Sequence, residues 1–236
     1  MQRKIINSKL ANLSKFTLLI GILVFIPAHA VQLPNQTLRY SVSYGNVNAG
    51  EFEVIIESEN GQIKSTVISH LSNLAKLFLS GLTAVSWYDI SDEQAILTNG
   101  QAIDHDSGEI IAEFHADYEN KKLTYNNGES TEIFANEVLD STTFPLWLIF
   151  SDVSSIKDQL VREVNSRKVR RYQYLQPEEE ILEYQGQKYH TWKVTRRKLD
   201  DTNRLVIVWL DKNNHNLPIK IISRKKDKDT TMLLID

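Results

Sequence analysis

The 236-residue chain contains no cysteine. No disulfide can brace the fold, and no thiolate is present to act as nucleophile or soft metal ligand. Lipid attachment to cysteine is excluded for the same reason. Glycine is sparse, with 9 residues, and none falls in a phosphate-cradling loop or a Gly-x-Ser-x-Gly elbow. No internal repeat or low-complexity segment stands out. Beyond residue 30 no apolar run is long enough to span a bilayer.

The one long apolar run lies at the start. Arg3, Lys4, Lys9 and Lys15 form a basic region without an acid, followed by apolar residues from Leu18 to Ile26. Ala28-His29-Ala30 then supplies a small-x-small cleavage pattern. The combination predicts a signal peptide over residues 1–30, with export to the periplasm of a Gram-negative bacterium. The remaining residues, 31–236, suffice for a single β-rich domain with one sizeable core.

Without the leader, 23 Lys and Arg stand against 30 Asp and Glu. That balance argues against nucleic acid as a partner. The charge is unevenly spread. Residues 31–140 carry 5 basic and 17 acidic residues, whereas 141–236 carry 18 and 13.

Alternation dominates the expected mature chain. Leu38, Tyr40, Val42 and Tyr44 read as a half-buried strand, and Phe52, Val54 and Ile56 as the next, after a turn over Gly45–Gly50. Asn60-Gly61, Asn99-Gly100, Ser107-Gly108, Asn127-Gly128 and Gln185-Gly186 mark further turns. Near the end, Leu205–Asp211 and Leu217–Ile222 flank an Asn-rich connection and read as a hairpin. Two stretches break the period. Leu71, Leu74, Phe78 and Leu82 recur at helical spacing, with Gly81 as the stop, and Phe144–Phe150 is apolar with Pro145 near a helix start. Asp140 is the expected cap of that second helix. The expected architecture is mainly β: a curved antiparallel sheet, half-barrel or open barrel, with two short helices over its concave face.

Tyr40-Ser41-Val42-Ser43-Tyr44-Gly45 with Ala49-Gly50 resembles the opening signature of the exported family called domain of unknown function 3108. Val208-Trp209-Leu210-Asp211 with Leu217–Ile221 is similar to that family's final hairpin. Asp140–Leu148 resembles its central helical segment, and Gln185-Gly186-Gln187 its glycine turn. The resemblance implies an architecture similar to that of the periplasmic lipoprotein carriers, whose curved sheets hold acyl chains beneath short helices. It carries no catalytic residues. The basic stretch Arg167–Arg171 departs from the family pattern, in which a more neutral hairpin is expected.

Three kinds of site follow. An apolar ligand, either a lipid or a lipoprotein acyl chain, would meet Leu74, Phe78, Trp87, Phe144, Trp147, Trp192 and Trp209. Arg167, Lys168, Arg170 and Arg171 would contact headgroups or an acidic envelope partner if the basic clusters gather at one rim. Against this stands plain edge protection by Lys and Arg. A metal site at Asp104-His105-Asp106 is disfavoured, because on a strand the histidine faces away from both acids. A hydrolase using His105 or His115 is the remaining enzymatic alternative, and Glu178-Glu179-Glu180 reads as a solvated turn. The leading expectation is a non-catalytic binding protein without cofactor. An envelope interaction module with a filled core is the alternative.

Overall fold

A computed structural model describes residues 35–76, 81–91, 94–133, 138–140, 144–164, 168–201 and 203–235. The expected signal peptide, Phe78 and Arg167 lie outside them. The first strands are β1 (Gln36–Tyr44), β2 (Val47–Glu59), β3 (Gln62–Leu71), β4 (Leu82–Ser91), β5 (Gln94–Asp104), β6 (Ile110–Asp117), β7 (Lys122–Tyr125) and β8 (Ser130–Glu132). Each pairs antiparallel with the next, as the alternation and turn signals require. The second series comprises β9 (Val138–Asp140), β10 (Gln159–Val164), β11 (Val169–Tyr174), β12 (Glu178–Tyr184), β13 (Gln187–Lys198), β14 (Arg204–Asp211), β15 (Leu217–Lys225) and β16 (Lys228–Leu234).

The last strand closes on the first. Tyr40 lies opposite Leu234 and Tyr44 opposite Thr230, so β1 and β16 join two meanders into one continuous sheet. Pairing is antiparallel throughout, except that β9 runs parallel to β10. Long β13 carries β11 against residues 196–198 and β12 against residues 187–193 of the same strand. The sheet curls without closing. Val164 of β10 packs in the same apolar cluster as Leu38, Tyr40, Ile56, Tyr88 and Leu97 from the opening strands. A second cluster, with Tyr174, Val194, Val208, Leu210 and Ile221, lies under the closing strands.

Helix α2 (Phe144–Ile149) supplies Leu148 and Ile149 to the two clusters, both buried. Its expected cap is used otherwise. Asp140 ends β9 and accepts a hydrogen bond from the buried Ser86 hydroxyl. The first expected helix is shorter than its spacing predicts. Helix α1 (Asn73–Lys76) buries none of its residues, while Leu71 and Leu82 belong to β3 and β4. Strand pairing wins there: Leu71 lies opposite Gly50 and Leu82 opposite Asp104. The Ser69 side chain ties β4 down, its hydroxyl donating to the Leu82 carbonyl and accepting from the Leu82 amide.

Two turn signals resolve differently from the sequence reading. Asn99-Gly100 is not a turn, because β5 continues through it with an irregularity near Thr98. Glycine is needed at position 100 because a Cβ would stand 2.2 Å from the Phe114 ring. The first turn occupies only Gly45 and Asn46, and Gly50 is already in β2. There φ is +126°, and a Cβ would meet the His70 carbonyl oxygen at 2.1 Å.

Gly50→Ala therefore combines backbone strain with a clash against main chain that cannot swing away. The expected cost is about 3 kcal/mol or more, a melting temperature lower by roughly 6–12 °C for a chain of this size. Gly45→Ala, with open space around its Cβ and φ of +57°, should cost about 1–2 kcal/mol. Thermal melts of the two variants check the order, and equal losses would refute the close-approach argument.

Candidate functional site

Among the described residues, α2 packs into the interior through Leu148 and Ile149. Trp147 of α2 stands edge-on to the Tyr174 ring at 5.7 Å. Beneath them the space bordered by Ile56, Ile63, Tyr88, Trp147 and Phe150 amounts to about 10 Å3. Pockets for drug-sized ligands run to roughly 300–1,000 Å3. The gap bordered by these described residues is too small for an acyl chain.

A buried polar network crosses this interior. The Arg196 guanidinium donates to Glu163, and the Tyr174 hydroxyl donates to the same carboxylate at 2.9 Å. Arg196 also lies over the Tyr172 ring, 4.4 Å from its centroid. Burial pushes the Glu163 carboxyl above its ordinary value, while Arg196 and Tyr174 pull against that rise. Such a pair adds little net stability when intact, but removing one partner costs about 3–5 kcal/mol.

The seven residues considered for an apolar ligand do not share one surface. Trp147 and Trp192 pack against the second interior cluster. Trp87 alternates with inward-facing Ser86 and Tyr88, and Trp209 with inward-facing Val208 and Leu210, so both point away from the two clusters. Trp209 is buried there, with the Lys220 ammonium 4.9 Å from its ring centre. Leu74 is 53% exposed on α1. Phe144 opens α2, and Phe78 lies outside the described residues.

The basic residues do converge. In a sheet of next-neighbour antiparallel strands, every second turn opens at the same end. That end carries the turns around Gly45, His105, Asp201 and Asp227, the β10–β11 connection, and α1. On the closing-strand half lie Lys168, Arg170, Arg171, Lys198, Arg204, Arg224, Lys225, Lys226 and Lys228, against Asp200, Asp201, Asp227 and Asp229. Three of the acids are paired: Lys198 reaches Asp200 at 2.8 Å, Arg204 reaches Asp201 at 2.9 Å, and Arg224 grips Asp229 through two hydrogen bonds of 2.8 Å. Lys198 and Arg224 hold the carboxyls of Asp200 and Asp229 below the usual range. Cations outnumber acids, so this half is positive.

The adjoining half of the rim exposes Tyr44, Val47, Leu74, Leu82, Ile110 and Ile111, with the acids Asp106 and Glu109 of the β5–β6 turn among them. The two halves meet at the β1–β16 seam, where the Lys228 ammonium lies 5.5 Å from the Tyr44 ring centre. Asp104 belongs to this half too, but it accepts from the amides of Asp106 and Ser107 and so fixes its own turn.

On the basic side the rim dips into a concavity of about 170 Å3 bordered by Tyr172, Arg196, Arg204, Ser223, Arg224 and Lys225. Arg196 and Arg224 lie in clusters recognisable in the sequence. The inward share of Tyr172, Arg204 and Ser223 was not anticipated, although strand alternation aligns Arg196, Val206 and Ser223 once the register is known.

The histidines considered for hydrolysis are dispersed. His115 Nδ1 lies 2.5 Å from the Asn99 side-chain oxygen, and the His105 ring stands 6.4 Å from that of His70. Among the described residues no group of three or more His, Asp or Glu converges as metal ligands. No helix among them is long and apolar enough to cross a membrane.

These features define a β-barrel-like, incompletely closed sheet with two apolar clusters inside it and a rim that is basic on one side and mixed apolar and acidic on the other. A family model described as protein of unknown function (DUF3108) matches residues 39–234, and the chain belongs to that family. A solved structure from Brucella abortus, described as a beta-barrel-like protein of domain of unknown function DUF1849, aligns with a TM-score of 0.58 at 11% identity. The alignment covers 88% of this chain and 98% of that one. The likeness shows a shared fold. A Pseudomonas aeruginosa protein of the duf1089 family aligns at a TM-score of only 0.41 and 11% identity, over 76% and 88% of the two chains. No curated protein matches the chain. The matches indicate no catalytic family.

The buried carboxyl makes a signed prediction. With Glu163 raised in the folded state, the native protein holds a proton that the unfolded chain releases from about pH 4.5 upward. Stability contributed by that group is therefore greatest below this pH and falls as pH rises toward the folded value. Denaturant melts of wild type and Glu163→Gln should show the wild type losing ground to the variant over that interval. A pH-independent difference would contradict the assignment.

Proposed function

We propose that this DUF3108 protein is a non-catalytic, exported binding protein that docks its divided rim on an anionic lipid surface of the cell envelope. The observation that carries the reading is the gathering of Lys168, Arg170, Arg171 and the Arg224–Lys228 stretch beside exposed Leu74, Leu82, Ile110 and Ile111. Cations beside apolar side chains suit the boundary between headgroups and acyl chains. Each cation near an anionic membrane adds about 1 kcal/mol. The signal-peptide pattern over residues 1–30 supports a location in the periplasm.

Arg170→Glu with Arg171→Glu changes the rim by four charges. Co-sedimentation of the mature protein with vesicles containing phosphatidylglycerol should fall at least tenfold in the double variant, and added salt should weaken binding by the wild type. Equal retention of both proteins, or retention by an envelope protein in place of lipid, would overturn the reading.

A second reading, carriage of a lipid or lipoprotein acyl chain, draws support from the composition of α2. Phe144–Ile149 is apolar in sequence, and its Trp147, Leu148 and Ile149 pack with the interior clusters, so its departure would leave an apolar trough. Native mass spectrometry should then find co-purifying lipid, and fluorescent fatty acid should be taken up. A clean mass with no uptake would exclude carriage and leave the filled-core module.

A further inference from the structure

The concavity on the basic side of the rim differs from the surrounding surface. Its floor is the Arg196 guanidinium, which is held in place by Glu163 below and by the Tyr172 ring at 4.4 Å. Arg204 stands on the wall, oriented by its pair with Asp201, whereas Arg224 alternates with Ser223 and Lys225 and turns its guanidinium to Asp229 on the other face of the strand. These ion pairs leave the arginines charged and fix their direction. Three further donors have no partner among the described residues: the Tyr172 hydroxyl, the Ser223 hydroxyl and the Lys225 ammonium.

Charge and size restrict the occupant. Arg196, Arg204 and Lys225 bring cations to the border, and its acids Glu163 and Asp201 are each held by an arginine. A volume of about 170 Å3 equals that of five or six water molecules in the liquid, each of which takes roughly 30 Å3. It admits a compact anion. Two hydroxyls, an ammonium and guanidinium edges suit an anion with several acceptor oxygens at tetrahedral spacing.

The geometry points to a phosphate-group site in the rim, with Lys225, Ser223 and Tyr172 as direct donors and Arg196 as the fixed positive floor. The inference rests on the reading of the rim as the working surface, and it names the chemical group that this surface recognises. A phospholipid headgroup and free inorganic phosphate share this chemistry.

Titration calorimetry of the mature protein with inorganic phosphate, and separately with glycerol phosphate, tests the site directly. Saturable binding at one equivalent is expected for at least one of the two. Tighter binding of glycerol phosphate would identify a headgroup as the source, and tighter binding of inorganic phosphate the free ion. Hydrogen bonds to a charged group are worth about 1.5–3 kcal/mol, so Lys225→Gln with Ser223→Ala should weaken binding on the order of tenfold or more. Both substitutions lie outside the apolar clusters, and an unchanged melting temperature would show the fold intact. Lys76→Gln, on α1 in the other half of the rim, should leave phosphate binding unchanged.

Vesicle binding separates this site from rim docking. Phosphate binding that depends on Lys225 and Ser223, without retention on vesicles containing phosphatidylglycerol, would uphold the pocket and remove membrane docking. Vesicle retention without saturable binding of either phosphate would uphold docking and overturn the pocket. Equal phosphate affinity in wild type and the double variant would also overturn it.

Discussion

Pairing of β1 with β16 makes one molecule of two meanders. Each meander can assemble from neighbouring hairpins, but each alone would present an open edge at the centre of the present sheet. The seam sets Tyr40 against Leu234 and Val42 against Met232, and the Tyr40 hydroxyl reaches across to the Pro218 carbonyl at 2.9 Å. A joined sheet of this width must twist and curl. Its curl brings Val164 of β10 into the cluster formed by the opening strands and turns two half-covered faces into one interior. Without disulfides, that interior has to supply the cohesion.

The same pairing rule organises the surface. Because strands alternate in direction, turns far apart in sequence open at one end, and clusters separated by dozens of residues become neighbours. Lys168 to Arg171, Lys198 to Arg204 and Arg224 to Lys228 meet in this way. Exposed apolar side chains at the ends of the opening strands and on α1 lie beside them across the seam, together with the acids of the β5–β6 turn. Edge protection remains a sufficient reason for scattered Lys and Arg on strands, but a concentration on turns at one end exceeds that need.

Inside, hydrophobic filling and polar specification occur together. Helix α2 closes the trough, and the Glu163–Arg196–Tyr174 network fixes β10, β11 and β13 relative to one another. The network also immobilises the guanidinium at the base of the rim concavity. A buried ion pair is weak evidence for stability; here it gives a surface pocket a rigid charged floor.

The class of the fold, most strands and the closing hairpin were legible from residue periodicity, because alternation reports directly which side of a strand is buried. Family membership was legible from the order of short motifs. Local signals failed where long-range contacts overrode them: Asn99-Gly100 lies within a strand with Phe114 over the glycine, and Leu71 and Leu82 pair in β3 and β4. The basic clusters were visible as composition, but their common end depends on strand direction and on the β1–β16 closure. Likewise Tyr172, Arg204 and Ser223 carry no local mark. Composition and periodicity determined what the protein is built from, because they act within a few residues along the chain. Which cations share a rim, and which side chains surround one cavity, only the tertiary structure decided, because register and curl join residues that are remote in sequence.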